Sequence, residues 1–213
     1  MANINISQLR EFQRKISSEI TTEDSIEELK LIAGFDTAII GDKIIAAAVV
    51  LDAKTLEIVE KVHAINALPM QYIPGYRAFR EGPIILEAFY DLEHDPDVLM
   101  INGNGILHPA GAGLANYVGV ELNKPTIGVA KKLLTGEIKD GKIMIAGEER
   151  GVVVETRKYA NPLFVSPGNM ISIAKCAEIV KNCIIPPHKL PEPLHQAHKY
   201  AKKAAEKFIQ PAT

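Results

Sequence analysis

Hydrophobic and polar positions in the first third of the chain predict one helix followed by three strands. Ser7 is a suitable N-cap for a short amphipathic helix, and a polar, acidic linker follows over residues 21–28. The connections Gly41-Asp42 and 52–55 are so short that the strands they join must be antiparallel neighbours. The three strands are predicted at Leu31–Ile40, Lys43–Leu51 and Leu56–Ile65.

Strands and helices alternate in the pattern of the remaining chain. Asp97–Ile101 is a short continuous apolar run, which is typical of a buried parallel strand. Antiparallel strands followed by such units predict an α/β fold: a mixed sheet, with three antiparallel strands then parallel strands, flanked by helices. Further strands are predicted at 126–130, 142–146, 151–155 and 163–165, and helices at 79–94, 113–122, 171–184 and 194–208.

Composition narrows the class of protein without naming a function. The 213 residues suit one domain over 1–213, in which residues 1–30 form an N-terminal helix and linker. With 24 basic and 26 acidic residues the net charge is −2, which excludes a uniformly basic nucleic-acid coat but not a local basic patch. Cys176 and Cys183 are too few for a disulfide framework, and we find no membrane span or signal peptide, so we expect a cytoplasmic protein with two core cysteines.

Two carboxylates stand out among the apolar positions. Asp36 lies inside the run LIAGFDTAII, where a buried charge is costly unless it is paired or binds a cation. The alternative is that Asp36 ends the strand as a turn residue, since Gly34 is close. Glu81 lies near a helix start. Its interaction with the helix dipole is by itself enough to make an acidic residue favourable there. Both interpretations of each residue remain open at this point.

Polar residues also follow two of the predicted buried strands. Residues 102–105, with the sequence NGNG, follow the strand at 97–101, at the edge where α/β sheets place their ligands. His108 lies just beyond, and Lys131-Lys132 follows the strand at 126–130, where it could face phosphate. A plain connecting loop and a solvated lysine pair are the alternatives. In the last helix His195 and His198 are three residues apart, a spacing that metal sites use but that is common without metal.

Six segments, taken in order, resemble the endonuclease V family, the deoxyinosine-directed repair nucleases. The blocks YIPGYRAFREGP (72–83) and PTIGVAKK (125–132) are the specific ones. The resemblance extends from about Ile32 to Tyr200 and implies a ribonuclease H-like fold, with the same order of elements as the hydrophobic pattern predicts. The other segments are IAGFD (32–36), NGNGILHPAGAGLA (102–115), PLFVSPG (162–168) and LPEP (190–193) with AH (197–198).

A metal centre is the first feature that the resemblance implies. Asp36 and Glu81 match the family's strand and helix carboxylates that bind Mg²⁺, with Mn²⁺ as the expected substitute. Asn102 stands where the family has a third metal carboxylate. His198 matches the histidine of the last helix, and Lys131 matches the basic residue near the scissile phosphate.

A nucleic-acid interface is the second implied feature. Tyr72, Ile73, Pro74 and Gly75 match the wedge that enters the duplex where the damaged base is flipped out. The base pocket is the region that contains the residues Gly75, Gly103, His108 and Gly113.

The sequence departs from the family pattern at four positions. Besides Asn102, Ala110 stands where an arginine usually follows His-Pro, and Asn116 and Asn169 replace common histidines. We expect these four substitutions to cluster in loops that touch metal and phosphate, and therefore to affect activity rather than the fold.

Three functions are consistent with these residues. The first is a metal-dependent DNA repair endonuclease that nicks inosine-containing DNA, or RNA, at the second phosphodiester 3′ to the deaminated base. The second is a weakened homologue that binds such nucleic acid without efficient cleavage, because Asn102 brings no charge. The third is a metabolite-binding α/β protein whose 102–105 loop holds a phosphate. For the nuclease we expect double- or single-stranded nucleic acid as the partner, no membrane contact and a monomer.

Overall fold

The computed structural model describes residues 5–208, which form five helices and nine strands. The helices are α1 (Ile6–Glu19), α2 (Arg77–Tyr90), α3 (Leu114–Leu122), α4 (Ile173–Asn182) and α5 (Glu192–Glu206). The strands are β1 (Leu31–Ile40), β2 (Lys43–Asp52), β3 (Ile58–Ala67), β4 (Val98–Asn102), β5 (Thr126–Ala130), β6 (Glu137–Lys139), β7 (Lys142–Ile145), β8 (Glu148–Val154) and β9 (Leu163–Asn169).

All strands join one mixed sheet with the order β3-β2-β1-β4-β5-β9-β8-β7-β6. The predicted arrangement is confirmed: β1, β2 and β3 are antiparallel, and β4 and β5 then run parallel to β1. Beyond β5 the sheet turns antiparallel again, because β9 pairs with β5 in the opposite direction. Pro167 is tolerated within β9 beside a register shift at Thr126, where the ladder is already interrupted.

Several element ends differ from the prediction for identifiable reasons. Helix α1 is capped by Asn5, whose side chain accepts from the Ser7 and Gln8 backbone N–H groups, so Ser7 is not the cap. Helix α2 ends at Tyr90 rather than near His94, whose backbone N–H instead donates to the Glu60 carboxylate. Strand β6 has only three residues, all exposed, and therefore lacks a hydrophobic signal.

Helices cover both faces of the sheet, as predicted. One apolar cluster joins α4 and α5 to the sheet and contains the buried free thiols of Cys176 and Cys183. Burial raises the pKa of both thiols, so they behave as apolar core groups. A second cluster joins α2 and α3 to the opposite face. Along residues 5–208 no helix has the length and apolarity needed to cross a membrane.

Strand register brings the predicted polar residues to one edge. The parallel pairing of β1 with β4 ends with Phe35 opposite Ile101, so Asp36 and Asn102 are the next residues on each strand. Asn102 in turn pairs with Val129 of β5, just before Lys131. The ends of β4 and β5 therefore meet beside the middle of β1.

Asn116 and Asn169 do not belong to this edge, and the expectation that they touch metal or phosphate is wrong. The buried Asn116 side chain accepts from the Gly113 N–H at 2.8 Å and donates to the Gly168 carbonyl. Asn169 donates to the Gly119 carbonyl at 3.0 Å and accepts from the Thr21 N–H at 3.1 Å. Both amides satisfy buried backbone groups, at Gly113 and Gly168 for Asn116 and at Gly119 for Asn169.

We predict that Asn116→Ala lowers the free energy of unfolding by about 2 to 4 kcal/mol, because two buried backbone groups lose their partner. Urea denaturation measures the change, and the exposed Asn161→Ala is the control. An Asn116→Ala protein of wild-type stability would contradict this structural role.

Candidate metal centre and adjoining cleft

Asp36 lies in the middle of β1, which removes the alternative that it ends the strand as a turn residue. Its side chain is buried, with 3% of the residue exposed. Its Oδ1 accepts from the Thr37 N–H at 2.9 Å and from Asn102 Nδ2 at 2.8 Å. The His198 Nδ1 lies 2.7 Å from Oδ2. Donors from β1, β4 and α5 thus converge on one carboxylate and offset the cost of burying it.

The position of His198 depends on how closely α5 approaches β1. A β-carbon on Gly34 would collide with the Pro193 backbone carbonyl at the start of α5, so the contact needs glycine. Residues on the next turns of α5, such as Leu194 and Ala197, are fully buried against the sheet. The helix is therefore held where His198 reaches Asp36, while 52% of the histidine side chain stays exposed to solvent.

Glu81 extends from α2 toward the same place and is also buried. Its Oε2 accepts from the Thr37 hydroxyl at 2.6 Å, and its Oε1 accepts from Arg77 Nε at 2.7 Å. Thr37 therefore contacts both carboxylates, through its backbone N–H on Asp36 and its hydroxyl on Glu81. Burial disfavours the charged form of Arg77, but the hydrogen bond and charge of Glu81 outweigh this and raise the Arg77 pKa.

The donor chemistry of this cluster fits a hard divalent cation. Asp36 and Glu81 supply carboxylate oxygens, and Asn102 has an amide oxygen, which are ligand types that Mg²⁺ accepts. Within residues 5–208 no three His, Cys, Asp or Glu side chains form a metal-binding group by themselves. Asn102 points its NH₂ group at Asp36, as it must, since two oxygen acceptors would repel each other. To ligate a cation, its amide would have to turn.

A cleft of about 380 Å³ adjoins the metal-ligand cluster. It brings the predicted pocket residues together with Tyr72 and Gly75 of the predicted wedge, whereas Ile73 and Pro74 do not line it. Its walls come from the turn before α2, the loop after β4, the start of α3 and the end of β5. The predicted residues among those lining it are Tyr72, Gly75, Asn102, Gly103, His108, Gly113 and Lys131.

The wedge segment is a tight turn on the rim of the cleft. The Tyr76 N–H donates to the Ile73 carbonyl at 3.0 Å, and Gly75 has φ +84°, as in a type II turn with proline first. Tyr72 is 60% exposed, and the Arg80 guanidinium lies 5.7 Å from its ring centroid. This cation–π contact holds an aromatic ring at the surface without burying it.

His108 presents a neutral imidazole to the cleft. Burial lowers its pKa, and the neighbouring Gly75 backbone only partly opposes this. Its Nδ1 accepts from the Ala110 N–H at 3.2 Å, so the ring proton of the neutral form lies on Nε2. Ala110 itself is exposed, and its methyl side chain has no polar atom to offer a metal or a phosphate.

The sequence did not predict the supporting residues of this region. Gln13 of α1 is buried, and its Nε2 donates to the Gly75 carbonyl at 3.2 Å and the Ala112 carbonyl at 3.0 Å. Arg77 and Thr37 were missed because a basic residue at a helix start and a threonine in a strand have no distinctive pattern. Arg77 could have been found from its spacing to Glu81, because residues four apart on a helix lie close enough to form an ion pair.

The two histidines at helical spacing in α5 do not form a joint metal site. His195 stacks on His188, with ring centroids 3.6 Å apart, and His188 Nδ1 lies 2.7 Å from the Glu192 carboxylate. Burial and the neighbouring His188 lower the pKa of His195. Only His198 turns toward Asp36.

Known proteins resemble this chain over most of its length. A family model for endonuclease V matches residues 14–199. Endonuclease V of Dictyoglomus thermophilum is 42% identical over 200 residues, spanning 90% of this chain and 87% of that protein. The structure of Bacillus subtilis endonuclease V is 32% identical with a TM-score of 0.89, covering 97% of this chain and 94% of that one.

A third similar structure contains nucleic acid. Ciona intestinalis endonuclease V, in complex with a 24mer DNA containing an inosine followed by a ribo-adenosine, has a TM-score of 0.83 at 26% identity. The match covers 95% of this chain and 98% of that one. With its ribonuclease H-like fold and a family match over most of its length, this chain belongs to the endonuclease V family of nucleases.

Proposed function

We propose that this protein is a metal-dependent repair endonuclease that nicks inosine-containing DNA or RNA at the second phosphodiester 3′ to the deaminated base. One observation carries the proposal: a buried carboxylate cluster with a histidine adjoins a cleft of about 380 Å³ whose rim carries an exposed tyrosine on a tight turn. The inosine-containing DNA bound by the Ciona relative supports the choice of substrate. The same proposal includes three further points. The nucleic acid is double- or single-stranded, the protein acts as a monomer, and it is located in the cytoplasm.

The metal ligands would be Asp36, Glu81 and Asn102, with Mg²⁺ as the ion and Mn²⁺ as its substitute. When bound, such an ion stabilises negative charge on the phosphate and lowers the pKa of a coordinated water. Asp36 and Glu81 already share Thr37 as a hydrogen-bond donor, so both carboxylates are fixed in position before any ion arrives.

His198 and Lys131 would assist hydrolysis in different ways. Because Asp36 engages the Nδ1 of His198, the Nε2 is left to orient the attacking water or accept its proton. Lys131 is exposed at the end of β5 and lines the cleft, where its ammonium would stabilise charge that develops on the phosphate. Attack on phosphorus would leave a 5′-phosphate and a 3′-hydroxyl.

Base recognition would use backbone groups and one neutral histidine. Hypoxanthine presents a donor at N1 and an acceptor at O6, so a charged side chain is not required to read its edge. Gly75, Gly103 and Gly113 line the cleft, and His108 lines it beside them. Extrusion costs least at a mispaired base, and Tyr72, at the head of the wedge formed with Ile73, Pro74 and Gly75, would fill the gap left in the stack.

A weakened enzyme is the second candidate, and Asn102 is the observation that favours it. The Asn102 amide donates to Asp36 at 2.8 Å, so in the free protein it stabilises the carboxylate that a cation would need. Metal binding must break this hydrogen bond, and no third negative charge offsets the loss. Such a protein would bind inosine-containing nucleic acid and cut it slowly.

We predict that the wild-type protein nicks an inosine duplex with Mg²⁺ or Mn²⁺ and that Asp36→Ala reduces the single-turnover rate by about 100-fold or more. The charge that holds the metal and orients His198 is lost. Asp52→Ala, which removes a carboxylate from the turn after β2, is the control and should nick normally. If a folded Asp36→Ala protein nicks at the wild-type rate, or if wild type ignores inosine, the proposal fails.

We predict that Tyr72→Ala weakens binding to an inosine duplex by roughly tenfold to a hundredfold, since stacking on one base contributes about 1 to 3 kcal/mol. Fluorescence anisotropy measures the affinity, and thermal melting should show an unchanged fold because the side chain is exposed. Tyr90→Ala, an exposed tyrosine at the far end of α2, is the matched control. Equal affinity of Tyr72→Ala and wild type would remove Tyr72 from the wedge.

We predict that Asn102→Asp lowers the melting temperature in EDTA and lowers the metal concentration required for nicking by tenfold or more. Two adjacent carboxylates repel without metal, and at about 4 Å with an effective dielectric near 20 one added charge is worth on the order of 4 kcal/mol before desolvation. A third of that energy already changes an affinity about tenfold. Thermal melting with and without Mg²⁺ gives a readout that does not depend on activity.

Asn104→Asp adds the same charge to the same loop without a hydrogen bond to Asp36, and serves as the control for the Asn102 comparison. Intact mass on fresh protein excludes deamidation of the Asn102-Gly103 pair. If Asn102→Asp needs the same metal concentration for nicking as wild type, the third carboxylate is not needed.

A further inference from the structure

A basic groove lies between the outer side of α5 and the exposed face of β3, away from the cleft. It has a volume of about 340 Å³. We call it the α5–β3 groove, and the basic side chains that line it are Lys61, His63, Lys199, Lys203 and Lys207.

Secondary structure periodicity explains why these side chains share one groove. Lys199, Lys203 and Lys207 recur every four residues at exposed positions, the first two within α5 and the third at its C-cap, and the buried face of α5 packs on the sheet. Lys61 and His63 are two residues apart on β3, so they point to the same side of this edge strand. The floor is fixed by the Tyr200 hydroxyl, 3.1 Å from His63 Nδ1.

The charge of the groove is not compensated by neighbouring carboxylates. Among residues 5–208 no carboxylate oxygen lies within ion-pair distance of the four lysine ammoniums, whereas Lys202 of the same helix lies 4.0 Å from Glu206. The whole chain has a net charge of −2, so this local excess of positive charge differs from the average surface. Like charges held together repel, and a polyanion relieves that repulsion.

The α5–β3 groove shares one helix with the metal-ligand cluster. Lys199, which lines the groove, directly follows His198, which contacts Asp36. A nucleic acid bound at the cluster would therefore pass near the first lysine of the groove.

We propose that the α5–β3 groove binds the phosphodiester backbone of the duplex outside the lesion, an inference that rests on the proposed function. Lysines at i, i+4 and i+8 are about 6 Å apart along the helix, near the 7 Å axial spacing of every second phosphate on one strand. Tyr200 is half-buried with its hydroxyl engaged by His63, so the ammonium groups are the main polar groups that the groove offers. Backbone contacts of this kind add affinity without reading sequence.

The test compares a triple variant, Lys199→Gln, Lys203→Gln and Lys207→Gln, with wild type. Its charge-matched control is Lys30→Gln, Lys139→Gln and Lys181→Gln, exposed lysines before β1, on β6 and on α4. Fluorescence anisotropy measures binding to an inosine duplex and to the same duplex without inosine, in EDTA, over a series of salt concentrations.

The groove variant should bind both duplexes more weakly by a similar factor, on the order of tenfold or more. The slope of log K against log salt should fall by about 1 for each phosphate that a lysine no longer neutralises. The control should match wild type in affinity and slope. Because α5 also carries His198, Lys61→Gln on β3 is the second variant, and its slope should fall by about 1 without any change in α5.

Wild-type affinity and salt slope in both groove variants would overturn the proposal and assign the groove to another partner, such as an acidic protein. A loss confined to the inosine duplex would also overturn it, because backbone contacts do not read the lesion. Failure of the proposed function is distinguishable: wild type would then show no preference for inosine, while the effect of the lysines on the undamaged duplex could still be measured.

Discussion

The buried charge of Asp36 is the constraint on which the arrangement of this protein depends. A carboxylate in the middle of a core strand is tolerated only because donors from its own strand, from β4 and from α5 converge on it. Two of these donors require a feature elsewhere. Asn102 requires the parallel register of β1 with β4, and His198 requires the glycine at position 34 that lets α5 approach. The same three elements supply the proposed metal ligand Asn102 and the histidine beside it. Stability of the free protein and the layout of the site therefore have one origin.

Much of this arrangement could be predicted from the sequence, for reasons that differ between residues. The antiparallel strands were visible because their connections are very short, and Asp36 was visible because a charge interrupts an apolar run. Asn116 and Asn169 were misassigned because a sequence pattern does not show whether a polar side chain serves a ligand or a buried backbone group. Gln13 and Thr37 were missed because their partners are far away in the chain and depend on how loops meet. Comparison of motifs locates a site, but its supporting hydrogen bonds appear only when the fold is built.

Charge is distributed in a way that composition conceals. Although the chain is nearly neutral, four lysines that make no ion pair among residues 5–208 line one groove between α5 and β3, while other charged side chains form ion pairs elsewhere. Lys61, exposed on the edge strand β3, also discourages a second strand from adding there. The basic surface can thus protect the sheet edge whether or not nucleic acid is bound.

Gln13 links the two loops that border the cleft, since one amide group donates to both the Gly75 and the Ala112 carbonyls. A flexible turn would have to be ordered when it binds, and the lost conformational entropy would be subtracted from the affinity. Here α1 holds the turn in place during folding, so the N-terminal helix pre-organises a surface to which it contributes few direct contacts. Substitution of Gln13 would then loosen the turn at Gly75 and the loop at Ala112 without touching the hydrogen bonds of Asp36.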